Sequence, residues 1–113
     1  MKPFEAEVVC IENEGSLNIV TFHFCGRHLS MMSLDLGSHI GVGSRVVLDV
    51  KPSHIALGKG ECENISYSNK LSCKIESLVA GKLLCVVKLR CCGVALESII
   101  TRSSARRLDL QEG

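Results

Sequence analysis

The side chains with the most chemical reach in this 113-residue chain are seven cysteines, at positions 10, 25, 62, 73, 85, 91 and 92. A zinc centre draws its ligands from closely spaced pairs, and these cysteines form no CxxC pair and have no histidine at ligand spacing, so no metal site is expected. Cys10, Cys25, Cys73 and Cys85 lie within apolar runs and read as small hydrophobes kept reduced in a cytosol. Cys91 and Cys92 are adjacent, with no activating base nearby. His23, His28, His39 and His54 are scattered. A serine nucleophile would need an elbow motif or a supporting carboxylate pair, and neither is present. The expectation is a protein that is not an enzyme and carries no cofactor.

The remaining chemical signal is charge. Thirteen basic and 12 acidic residues give a formal net charge of +1 and are spread along the chain, which offers no face dedicated to a phosphate backbone. The densest basic run, from Arg102 to Arg107, reads as a solvated helix face, because nucleic-acid-binding barrels stack bases on aromatics and this chain has only Phe4, Phe22, Phe24 and Tyr67. Nucleic acid is therefore not an expected direct partner. Met1 to Glu5 lack the apolar centre of a signal peptide, and no apolar run approaches the roughly 20 residues of a membrane helix, so the reading is soluble and cytoplasmic.

The elements that would position any site come in two copies. Phe4–Ile11 recurs as Leu71–Leu78 when 67 is added to each number, and the same offset carries Val20–Gly26 onto Val87–Gly93. After one inserted residue, Met31–Ser33 falls on Ile99–Thr101 and Ile40 on Leu108. Within a copy, Phe4, Ala6 and Val8, and later Val20, Phe22 and Phe24, alternate with outward residues as half-buried strands do. Gly15, Gly26, Gly81 and Gly93 punctuate hairpins, 38–43 predicts a short helical turn, and Arg45–Val50 predicts a strand. The fold class is all-β, with about five strands per copy. The first copy spans 1–60, a polar, turn-rich linker covers 61–68, and the second copy spans 69–113 and lacks the last strand of its twin.

These segments resemble a known family. Lys70–Ile75 followed by Ser98–Gly113 looks like the Mop repeat, also called the TOBE domain, whose pattern runs N-x-L-x-G-x-V, then S-x-I-T-x-x-S-x-x-x-L-x-L-x-x-G. That pattern closes on a strand ending K-[SAP]-S-x-[VI]-x-[LI], which Lys51–Leu57 supplies. The resemblance implies tandem OB-like barrels of the free-standing, two-repeat form found in molbindins, small proteins that bind molybdate.

It also implies a ligand set. Ser66 and Asn69 keep two letters of the family's S-A-R-N opening, with Ser68 in place of its arginine. Thr101 and Ser104 fill the I-T-x-x-S positions, where the first copy has Ser33 and Leu36. Lys51 and Ser53 match the closing K-x-S, with Pro52 between them offering no N–H. A tetrahedral dianion has acceptor oxygens only, so hydroxyls, amides and an ammonium are the groups that would hold it. The implied function is intracellular binding of molybdate or tungstate for storage, homeostasis or sensing. The alternative is an interaction or regulatory module of a molybdate transporter or transcriptional regulator with a degenerate anion site. The strand missing from the second copy implies a homo-oligomer, since an unfilled edge exposes unpaired N–H and C=O groups.

Overall fold

The computed structural model describes residues 3–60 and 62–113, which fall into two compact units. One unit comprises Phe4–Leu48 with Ser66–Leu71; the other comprises Asp49–Ile65 with Ser72–Gly113. Packing thus divides the chain differently from the repeat. Residues 49–60 belong to the first copy in sequence but pack with the second, and Ser66–Leu71, at the end of the linker and the start of the second copy, packs with the first.

In the first unit, β1 (Phe4–Glu14), β2 (Leu17–Phe24), β3 (Arg27–Ser33) and β4 (Arg45–Leu48) form an antiparallel sheet in the order β3-β2-β1-β4. The alternation in the sequence has the expected effect: Phe4, Ala6, Val8, Val20, Phe22, Phe24 and Leu29 are buried, and the Phe4 and Phe24 rings meet at 4.8 Å between centroids. The register of β1 on β2 shifts between Val8 and Cys10. The extra residue, Val9, is a β-bulge that reverses the inward face beyond it. That reversal leaves Cys10 exposed, which corrects its reading as a small core hydrophobe.

In the second unit, β5 (Lys74–Ala80), β6 (Leu84–Cys91) and β7 (Val94–Thr101) form an antiparallel sheet in the order β5-β6-β7, followed by α1 (Arg102–Arg107). Cys85, Val87, Leu89, Cys91, Leu96 and Ser98 are its buried residues. Among the described residues the two copies thus contribute four strands and three, where about five each were expected. Lys51–Leu57, expected as a closing strand, forms a 3-10 turn at Pro52–His54 and then runs extended outside any ladder. Pro52 supplies no N–H to a ladder but suits the start of such a turn.

Three local features repeat at matching places. The register shift after Ile75 makes Glu76 a bulge, 67 residues beyond Val9. Cys25-Gly26 and Cys92-Gly93 form the two-residue tips of their hairpins with φ of 50° and 74°, and 53° and 78°, the paired positive angles of a type I′ turn. Gly43 N–H donates to Val8 O at 2.7 Å, and Gly113 N–H donates to Ile75 O at 3.0 Å. This last pair equates Gly43 with Gly113, so the register past Ile40 is looser than the one-residue insertion implies.

Cys25 and Cys92 are each disulfide-bonded, whereas Cys10, Cys62, Cys73, Cys85 and Cys91 are thiols. Cys25 therefore does not behave as a reduced core residue, because it sits at a hairpin tip rather than within a strand. The expected helical turn at 38–43 is instead a pair of tight turns, closed by Ile40 N–H to Gly37 O and Ser44 N–H to Gly41 O, both 3.0 Å. Gly37, Gly41 and Gly43 make a helix there expensive.

Candidate functional site

Thr101 and Ser104 are held together where β7 ends and α1 begins. Thr101 is the N-cap of α1, with φ −71° and ψ 148°, and its Oγ1 accepts from the Ser104 N–H at 3.1 Å. The same hydroxyl donates to Ser104 Oγ at 3.0 Å, and Arg107 Nη2 donates to that oxygen at 3.2 Å. A serine hydroxyl has two lone pairs and one hydrogen. With both lone pairs occupied, the capacity left to Ser104 is donation, toward an acceptor-only partner. Arg107, grouped by sequence with a solvated basic face, adds a fixed positive charge at this point. Its spacing of three from Ser104 is the signal that could have found it, since such residues are neighbours on a helix.

The corresponding place in the first copy is built differently. Ser33 Oγ accepts from Asp35 N–H at 3.3 Å, a local turn contact that caps no helix, and Leu36 has no hydroxyl to offer.

Lys51 and Ser53 belong to the same compact unit as Thr101 and Ser104. Both side chains are exposed on the 3-10 turn, where Lys51 O accepts from His54 N–H at 2.8 Å. The segment that carries them is fixed by Ser98, which is fully buried and donates from Oγ to Ile55 O at 2.6 Å. Farther along, Lys59 Nζ donates to Asp109 O at 2.8 Å, which ties the segment to the residues after α1. Sequence reasoning missed both contacts, which span 43 and 50 residues.

Ser66 and Asn69 belong to the other unit. Ser66 is exposed. Asn69 is committed to the backbone: its Oδ1 accepts from Ser30 N–H at 2.7 Å and its Nδ2 donates to Ser30 O at 2.8 Å. Asn69 therefore fixes the segment that bears Ser66, instead of presenting a free amide.

Among the described residues no group of three or more His, Cys, Asp or Glu side chains could hold a metal ion. Among the described residues no helix is long and apolar enough to cross a membrane.

The strand–strand–strand–helix sequence of the second copy, closed by Gly113 on β5, has a counterpart among known families: residues 65–113 match the TOBE domain. The matched segment is similar to a TOBE domain. It contains Ser66, Asn69, Thr101 and Ser104 together with all of β5, β6, β7 and α1. The fold of the whole chain is similar to that of ModG, described as a cytoplasmic molybdate-binding protein and solved with molybdate bound. The two agree with a TM-score of 0.88 at 21% sequence identity, over 99% of this chain and 84% of that one. At that identity the likeness is one of fold, an OB-like Mop/TOBE architecture. No curated protein sequence matches the chain. TOBE domains are binding and transport-associated modules rather than a class of enzyme.

Proposed function

We propose that the chain binds a tetrahedral oxyanion, molybdate or tungstate, for storage, homeostasis or sensing, with a binding rather than a catalytic role. The observation that carries this reading is Ser104, whose hydroxyl accepts from Thr101 and Arg107 and has only its hydrogen left to give. Lys51 and Ser53, in the unit that holds Ser104, are the further proposed donors, and Ser66, which Asn69 positions in the other unit, is proposed separately as a donor. Such a set suits a dianion, because hydroxyls and ammonium groups donate to acceptor oxygens and Arg107 offsets charge without enclosing it. Similarity in fold to a protein that binds molybdate supports the same ligand, and cytoplasmic residence is proposed on that likeness. Phe4, Phe22 and Phe24 are buried, which leaves Tyr67 as the exposed aromatic and gives no platform for stacking bases.

Self-association belongs to the proposal. Met32 is 76% exposed, Leu34 73% and Leu83 79%, more apolar surface at strand ends than solvation alone favours. Light scattering is expected to give a closed homo-oligomer. The repeat boundaries at 1–60 and 69–113 are proposed as units of descent rather than of packing.

Calorimetric titration with molybdate, tungstate, sulfate and phosphate tests the function. Binding of the first two, reduced at least tenfold by Ser104→Ala, is the expected result; absence of heat with either metal oxyanion at millimolar concentration would overturn it. Ser68, standing where the family pattern has arginine, favours one second reading: a regulatory or interaction module of a transporter or regulator whose anion site has decayed. That reading predicts no anion binding by the intact chain.

A further inference from the structure

β5 and β6 bring two thiols face to face. Their register runs Ile75 with Leu89 and Lys74 with Arg90, so continuing it by one residue sets Cys73 opposite Cys91. The type of pair can be worked out. Ile75 O accepts from Gly113 N–H, so the backbone groups of Ile75 face away from β6, and Ile75–Leu89 is a pair without mutual hydrogen bonds. Pair types alternate along an antiparallel ladder, so Lys74–Arg90 is hydrogen-bonded and Cys73–Cys91 again is not. Such pairs hold their Cα atoms about 4.5 Å apart, within the roughly 4.4–6.8 Å range that disulfides span. The two side chains are already hydrogen-bonded to one another as thiols.

The pair is also asymmetric in access and in ancestry. Cys73 is half-buried at the start of β5, and Cys91 lies behind it, buried beside Leu89 on the inner face. At the equivalent places the first copy has Ala6 and Phe24, both buried apolar residues, so the fold does not require sulfur at either position.

We propose that Cys73 and Cys91 are a cross-strand dithiol that is converted to a disulfide by exchange with a small disulfide such as oxidised glutathione. The Cys73 thiolate attacks one sulfur of the small disulfide and expels a glutathione thiolate, which leaves a mixed disulfide on Cys73. The Cys91 thiolate then attacks Cys73 Sγ and expels the second glutathione. The two protein protons end on two glutathione thiols, and the protein is oxidised by two electrons as the small disulfide is reduced by two. The exchange is guarded kinetically. Burial, and then the neighbouring Cys91, push the Cys73 thiol up to about 11, so little of it is the reactive thiolate near neutrality.

The test uses the full chain with oxidised glutathione at several values of pH, followed by alkylation of remaining thiols, tryptic digestion and mass spectrometry. The expected product joins the 71–74 peptide to the 91–102 peptide, which also carries the existing disulfide at Cys92, with fragmentation placing the new bond on Cys91, and it forms roughly tenfold faster per pH unit between pH 8 and 10. Cys73→Ala, which reproduces the Ala6 of the first copy, abolishes it. Recovery of the 71–74 peptide only as its alkylated or glutathionylated form would overturn the proposal. So would a bond from Cys73 to Cys92.

Discussion

Asn69 and Ser30, 39 residues apart, are joined by two hydrogen bonds, in which the side-chain amide of Asn69 meets both the N–H and the C=O of Ser30 at 2.7 and 2.8 Å. Ser30 lies in β3, the edge of its sheet. The amide thus takes the place of the next strand at one residue, which satisfies two backbone groups and shortens the free edge.

Asn69→Ala removes both bonds at once. Urea unfolding followed by circular dichroism is expected to show a loss of about 1–3 kcal/mol. Asn69→Asp keeps the acceptor for Ser30 N–H but sets a carboxylate oxygen against Ser30 O, and it is expected to cost at least as much. An Asp variant as stable as the parent would mean that the second bond contributes nothing.

Thr101 and Ser104 touch each other, yet their substitutions are expected to read out differently. Thr101→Val deletes the N-cap of α1 and should lower stability by about 0.5–2 kcal/mol, whereas Thr101→Ser keeps the capping oxygen and should restore most of it. Ser104→Ala retains the capped N–H and removes only the hydroxyl, so thermal unfolding should barely move while molybdate affinity falls. Equal effects of Ser104→Ala on both measurements would assign that hydroxyl to the fold alone.

Ser98 is fully buried and donates from Oγ to Ile55 O at 2.6 Å. Ser98→Ala leaves that carbonyl without its donor and is expected to cost about 1–3 kcal/mol. Because the bond holds the chain just after the 3-10 turn, limited proteolysis should cut the 52–58 stretch faster in this variant than in the parent. Unchanged cleavage would show that Lys59 and its contact with Asp109 suffice to hold the segment.

The Cys73 thiol, raised from 9.0 to about 11 by burial and then by Cys91, makes a prediction about alkaline pH. The folded state keeps this proton more tightly than the unfolded chain does. The stabilisation from holding it neutral is therefore fully present below about pH 9 and is lost as pH rises toward about 11. Unfolding free energies measured across that window should fall more steeply for the parent than for Cys73→Ala, and parallel curves would contradict this.

Much of the fold is legible because each copy states it separately. Val20, Phe22 and Phe24 announce β2 by alternation, and all three are buried; Val87 and Leu89 repeat the statement 67 residues later. Thr101 and Ser104 were legible as a motif, and they are in contact. Illegible features depend on one inserted residue or on distance along the chain. Val9 breaks no propensity rule, yet as a bulge it turns Cys10 outward. The family pattern makes Lys51–Leu57 a strand, but Pro52 and the remote hydroxyl of Ser98 set its conformation. Asn69 looked like a ligand, and nothing local in the sequence signals that Ser30 occupies its amide. Arg107 was legible in spacing but lost in the charge of its neighbours.

The exchange of segments between the compact units has a consequence for any attempt to divide the molecule. A cut between Ile65 and Ser66, the natural boundary for a designer reading the repeat, would give two fragments, each carrying a piece that packs in the other's unit. The amino-terminal fragment would hold residues 49–65, without the sheet on which Ser98 anchors them. The carboxy-terminal fragment would hold Asn69, without the strand edge it closes. The two halves of this chain are thus complementation partners more than independent domains, and mixing the separated fragments should restore structure that neither holds alone.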